Sequence, residues 1–144
     1  MEYMSVLHST KHGNDCVFVV IDLFSKMVIS ISCNKSITVE ATAKLFFECA
    51  WVHFKLPQTI ISDRDSIFLG TFYCILWSIM DSKLTQLTSF HLQTDGQTKV
   101  VNRMIVHILR MYNYKNPYTW DGILPYIKHS YNKSLHNSTR HNPF

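Results

Sequence analysis

The chain has 144 residues, 47% hydrophobic and 17% charged, which describes one globular domain with a buried core and excludes a disordered chain. Its formal charge of +4 and pI near 8.9 are compatible with a polyanionic partner. No run approaches the roughly 18 apolar residues of a membrane span, and no signal-peptide core opens the chain, so it reads as intracellular, with no membrane partner.

The elements follow in order. Gly13-Asn14 marks a turn before Cys16 to Phe24, an almost uniformly apolar, β-branched and aromatic run expected of a strand buried on both faces. After the break at Ser25-Lys26, Met27 to Cys33 alternates like a half-covered strand, and the two should pair as an antiparallel hairpin. Thr38 is the expected N-cap of a helix with Glu40 in its first turn. Ala41, Leu45, Phe46, Cys49 and Val52 recur at helical spacing until Leu56-Pro57. Thr59-Ile60-Ile61 predicts a short buried strand running into Asp63. A second amphipathic helix carries Phe68, Phe72, Ile75, Leu76, Ile79 and Met80, and Lys83 to Ser89 reads as an edge strand. The longest helix should start near Asp95 or Gly96 and reach about Tyr112, with Val101, Met104, Ile105, Ile108 and Tyr112 inward. Lys99, Arg103 and Arg110 lie off that stripe, with Val106 interrupting their face. A last helix, over roughly Thr119 to Leu135, contains Pro125 and should kink or start late. This order predicts an α/β fold, a mixed sheet with helices packed on it.

Four dispersed cysteines without a C-x-x-C pair read as buried free thiols, and eight histidines without neighbouring cysteine pairs argue against a zinc site. The ten acidic residues can be weighed singly. Asp63 closes a predicted strand at its C-terminal end, where ligand groups of α/β sheets collect; a turn or cap role is the alternative. Asp65 suits the cap of the following helix. Asp22, inside an apolar strand, needs a partner such as Lys26 or Arg64, or a place at the sheet end, and reads as structural. Asp95 is simplest as a turn residue or cap. Glu40 and Glu48 belong to a solvated helix face. Glu2 stands apart, because Met1-Glu2-Tyr3-Met4 has the makings of another strand.

From Leu56 to Arg103 the chain resembles the integrase catalytic core of gypsy-type LTR retrotransposons, polynucleotidyl transferases of the retroviral integrase superfamily with an RNase H-like fold. The likeness rests on Leu56-Pro57-Gln58-Thr59-Ile60-Ile61-Ser62-Asp63-Arg64-Asp65 and on Gln93-Thr94-Asp95-Gly96-Gln97-Thr98 with Asn102-Arg103. It extends upstream through Val19 to Met27 and downstream through Trp120, Leu124-Pro125, Ser130-Tyr131-Asn132 and Asn142-Pro143-Phe144. The joint occurrence of Ser-Asp-Arg-Asp and Gln-Thr-Asp-Gly-Gln-Thr makes it specific. It implies an RNase H-like mixed sheet with helices on both faces.

The resemblance implies a triad of Asp, Asp and Glu holding Mg²⁺ or Mn²⁺ for DNA integration, by 3′-end processing and strand transfer. Asp63 matches the second position. At the first, Met1-Glu2-Tyr3 replaces Met-Asp-Phe, so Glu2 stands for aspartate; at the third stands Lys99. The longer glutamate displaces its carboxylate by roughly 1 Å, a shift that costs about a hundredfold in rate. Lys99 removes a ligand and sets a cation near the metals, with repulsion of about 4 kcal/mol per unit charge at 4 Å in an intermediate dielectric. Asp22 becomes a scaffold residue in this mapping. The catalytic set is therefore degraded, with Glu2 and Asp63 as the remaining metal ligands, and the expectation is loss of strand transfer.

The resemblance also places Lys99, Asn102, Arg103 and Arg110 on a helix that contacts DNA backbone. It implies a homodimer and, if the protein functions, a nuclear location. Residues 1–144 are expected to be a core truncated at both ends, with its first strand shortened and the flanking zinc-binding and DNA-binding domains absent. A non-catalytic DNA-binding or self-associating module is the main alternative, an inert relic of a transposable element a further one. An RNase H-type nuclease would need the same carboxylates and fails on the same lysine.

Overall fold

Six consecutive residues, Cys16–Ile21, form strand β2, and all but the last are buried, so both faces of this strand are covered. A computed structural model describes residues 1–5, 7–54, 60–62, 64, 66–79, 96–113, 116–135 and 140–143. Its contacts divide the chain into two compact units, one of Glu2–Lys35 with Gly96–Phe144, the other of Met1 with Ser36–Asp95.

In the first of these, β1 (Glu2–Met4), β2 and β3 (Val28–Cys33) form an antiparallel sheet in the order β1-β2-β3. The expected hairpin is present, in the register Cys16↔Cys33 to Ile21↔Val28. Strand β1 pairs Glu2 with Val19, Tyr3 with Phe18 and Met4 with Val17. Side chains alternate across a strand, so Glu2 and Met4 share one face with Val17 and Val19, and Tyr3 shares the other with Phe18. The two rings there lie 4.9 Å apart.

The face holding Met4, Val17, Val19 and Val28 packs against helix α4 (Gly96–Asn113) and helix α5 (Leu124–Lys133). Helix α4 contributes Val101, Ile105 and Leu109; α5 contributes Leu124 and Ile127, and Trp120 comes from a short 3₁₀ turn, Trp120–Gly122. The α4 stripe differs from expectation in one member. Leu109 is fully buried, whereas Met104 and Ile108 are only partly so. Pro125 falls in the first turn of α5, where its missing N–H costs nothing, so the helix starts late instead of kinking.

Strand β3 ends the described sheet and would expose unpaired backbone groups. Asn132 of α5 closes part of that edge: its Oδ1 accepts from Val28 N at 2.8 Å and its Nδ2 donates to Val28 O at 2.9 Å. Asn132 is wholly buried. An amide side chain here replaces a neighbouring strand. The loop ahead of β2 is tied to the 3₁₀ turn by Asp121, which accepts from Asn14 Nδ2 at 3.2 Å and pairs with His12 Nδ1 at 2.9 Å. The Trp120 indole N–H also donates to His8 O at 2.7 Å.

The second unit is helical. Thr38 caps α1 (Val39–Phe46), its Oγ1 accepting from Ala41 N at 3.2 Å. The helix widens into a π turn at Phe47–Trp51 before α2 (Val52–Phe54). Phe47 and Trp51 stack at 4.9 Å within that turn. Helix α3 (Ser66–Ile79) meets α1 through Phe72, which lies edge-on to Phe46 at 5.5 Å. The Tyr73 hydroxyl oxygen accepts from Ile60 N at 3.0 Å, and burial pushes that phenol above its ordinary value.

Two expectations need correction or fall outside. Ile60, Ile61 and Ser62 form no ladder among the described residues, and Lys83–Ser89 lies outside them, so the described sheet is antiparallel throughout. Of the four thiols, all free, only Cys16 and Cys33 are buried. Cys49 is half-buried and Cys74 exposed, because Cys74 falls on the outer side of α3.

Candidate nucleic-acid interface

Glu2 is buried at 9% exposure, a costly position for a carboxylate without donors. Its place in β1 turns it toward α4, and Asn102 Nδ2 donates to its Oε2. Asn102 Oδ1, the other end of that amide, is also buried and has no partner among the described residues. The strand therefore delivers the acid and the helix delivers the donor. Sequence reasoning placed both residues near the site but assigned Asn102 to DNA alone; the structure makes it the partner of Glu2.

Lys99 is exposed in the first part of α4, three residues before Asn102. Positions i and i+3 are neighbours on a helix, with Cβ atoms about 5–6 Å apart, so the ammonium stands one turn from the amide that holds Glu2. Arg103 and Arg110 are exposed as well. Positions 99, 103, 106 and 110 form one stripe at helical spacing, basic except for half-buried Val106. Among the described residues no group of three or more His, Cys, Asp or Glu side chains is arranged to hold a metal ion. Asp63, the one triad position matching the expected pattern, lies outside the described residues, as do Asp65 and Asp95.

Asp22 is placed by the fold as a turn residue. It sits just beyond β2 and accepts from Ser25 N at 2.9 Å and Ser25 Oγ at 2.6 Å, while Lys26 N donates to its carbonyl at 2.8 Å. Lys26 takes a positive φ of 65° to close the turn. Burial by itself would raise the Asp22 carboxyl, but the Ser25 hydrogen bonds outweigh it and hold it below its ordinary value. The structural reading of Asp22 is thus explained by position at the sheet end. The Arg64 guanidinium lies 5.4 Å from the Phe68 ring centroid, a cation–π contact.

A cleft of about 480 Å³ opens between β1, with the chain leaving it, and α4. Met4, Leu7 and Val106 supply apolar surface, and Arg103, His107 and Arg110 supply the basic side; no residue lining the cleft is acidic. Asn102 also lines it, whereas Lys99 does not. His107 and the β1 side of this cleft were missed in the sequence. The available signal was the phase of β1, which puts Met4 on the face of Glu2 and hence beside α4.

No family model matches this chain. The Transposon Tf2-3, Tf2-4 and Tf2-5 polyproteins of Schizosaccharomyces pombe (strain 972) are each 35% identical to it over 148 aligned positions, covering all of this chain. The chain spans 11% of the length of each of those polyproteins. Among solved structures, the HTLV-2 integrase catalytic core domain in complex with magnesium, in a trimeric form, superposes with a TM-score of 0.67. The match has 19% identity and covers 99% of this chain and 90% of that one. At that identity the likeness shows the fold, which is α/β and RNase H-like. No helix among the described residues is long and apolar enough to cross a membrane.

Proposed function

We propose, for a chain that belongs to the retroviral-integrase-type catalytic cores of LTR retrotransposons, that it binds DNA through α4 and no longer joins DNA ends. The observation that carries this reading is the surrounding of Glu2. Its carboxylate, the first position of the expected metal-binding triad, accepts from Asn102, and a lysine one helical turn away occupies the third position.

A two-metal site needs carboxylates that converge on ions about 3.5–4 Å apart. An ammonium offers no lone pair while protonated and repels a divalent ion, so Glu2 and Lys99 do not fit the Mg²⁺ or Mn²⁺ expected of the family. What the same helix retains is charge: Lys99, Arg103 and Arg110 on one stripe can neutralise phosphates without reading sequence. Lys99 then serves to hold a phosphate at the position where the family keeps a metal ligand. DNA as partner would give the protein a nuclear site of action.

The test uses the purified chain with labelled duplex ends. Strand transfer in Mg²⁺ or Mn²⁺ should be absent, and duplex binding should weaken steeply with salt. Lys99→Ala and Arg103→Ala should each lower the slope of log K against log[salt] by about 0.9. Joining of DNA ends by the parent chain refutes loss of catalysis; absence of binding at low salt refutes the DNA reading. In Glu2→Asp with Lys99→Glu, recovery of joining would place the defect in the triad.

A further inference from the structure

The convex stripe of α4 explains contact with a duplex, but the cleft beside it is built differently. A duplex backbone needs only cations. Here Met4, at 7% exposure, with half-buried Leu7 and Val106, forms an apolar wall inside a rim of Arg103, His107 and Arg110. A polyanion that offered only phosphates would leave that wall wet. A ligand matching both parts carries a flat apolar body flanked by negative charges, which describes a nucleotide whose base has left the stack. The volume of about 480 Å³ falls in the range of small-molecule sites, about 300–1,000 Å³. The buried Asn102 Oδ1, without a partner among the described residues, supplies an acceptor at the same cleft for an exocyclic amino group. Tyr3 lines the cleft, but its ring packs on Phe18 across the sheet and so offers no stacking platform there. The recognition is therefore apolar contact plus one acceptor, with phosphates held by guanidinium groups.

We propose that this cleft takes one unpaired nucleotide at a DNA end, its base against Met4, Leu7 and Val106 and its flanking phosphates at Arg103 and Arg110. The proposal rests on the DNA-binding reading and narrows it from duplex backbone to frayed or overhanging ends.

Fluorescence anisotropy with the full chain distinguishes the two. A duplex with a two-nucleotide overhang should bind about tenfold more tightly than a blunt duplex of equal nucleotide count, a preference within what one buried base contributes. Replacing the overhang bases by abasic sites, which keeps every phosphate, should abolish the preference. Val106→Trp fills the cleft without changing charge and should remove the preference while blunt-duplex affinity stays within about twofold, since the phosphate contacts on the stripe remain. Ser5→Trp, at an exposed cleft residue, makes the same test without touching the core. Equal binding of overhang and blunt ends, or of abasic and intact overhangs, overturns the proposal while leaving duplex binding intact. Competition by an acidic peptide as strong as by an overhang of equal charge also overturns it and assigns the cleft to peptide. Failure of every DNA to bind at low salt overturns the DNA reading itself.

Discussion

Replacing Asn132 by leucine should cost this fold more than any other change to a single polar side chain among the described residues. The amide makes two hydrogen bonds, both to Val28, at 2.8 and 2.9 Å, and is fully buried. Val28 is itself 1% exposed, so water has no access to replace them. Leucine conserves the volume but orphans one buried donor and one buried acceptor. At about 1–3 kcal/mol for each unsatisfied group, the loss is about 2–6 kcal/mol, a large share of the roughly 5–15 kcal/mol that holds a domain folded. Urea unfolding followed by circular dichroism measures it.

Asn132→Asp sharpens the test. Aspartate keeps an acceptor for Val28 N, but its second oxygen faces Val28 O and needs a proton there. Its folded pKa is therefore raised above the unfolded value of about 3.9. A raised group contributes stability that is present below the unfolded pKa and lost as pH rises through the folded one. The Asp variant should accordingly recover stability relative to the parent toward pH 4 and fall behind it at pH 7. A leucine variant within about 1 kcal/mol of the parent, or an aspartate variant with the parent's pH profile, would refute the edge-closing role.

Asp22 and Asp121 have the opposite sign. At Asp121 burial is outweighed by hydrogen bonds from His12, Asn14 and Thr10, which hold its carboxyl below the ordinary value. Both acids contribute stability above the unfolded carboxylate pKa that is lost as pH falls through the folded one, and Asp121→Asn with Asp22→Asn should flatten the acid limb of a pH–stability curve. His12→Ala should cost under about 1 kcal/mol by denaturant titration, since the imidazole side chain is 78% exposed. Thr38→Ala removes the cap from α1 and should cost about 1 kcal/mol in the same assay. Iodoacetamide labelling followed by mass spectrometry should modify Cys74 first, while Cys16 and Cys33 react only on unfolding. Their burial supports this, and contact with Cys16 together with burial drives the Cys33 thiol upward.

Much of the fold was legible because short-range chemistry encodes it. The apolar run of β2, the break at Ser25-Lys26, the Thr38 cap and the stripe of α4 each follow from periodicity or capping within a few residues. Pro125 announced that α5 would start late, and it does. The π turn at Phe47–Trp51 was not legible, since an added residue in a helical turn leaves the apolar pattern almost unchanged. Leu109 was missed because a stripe drawn at 3.6 residues drifts, and only the position of the sheet and α5 decides which neighbour points inward.

The sequence by itself determined the ancestry, the α/β composition, the basic stripe of α4 and the lysine at position 99. Each is a matter of residue identity and local spacing. Tertiary structure decided the partnerships. It turned Glu2 toward Asn102 across 100 positions of sequence, laid Asn132 against the edge of β3, and opened a cleft between Met4 and Val106. Such contacts depend on which faces meet when strand and helix pack, and hydrogen bonds and cavities between distant segments leave no period in the chain.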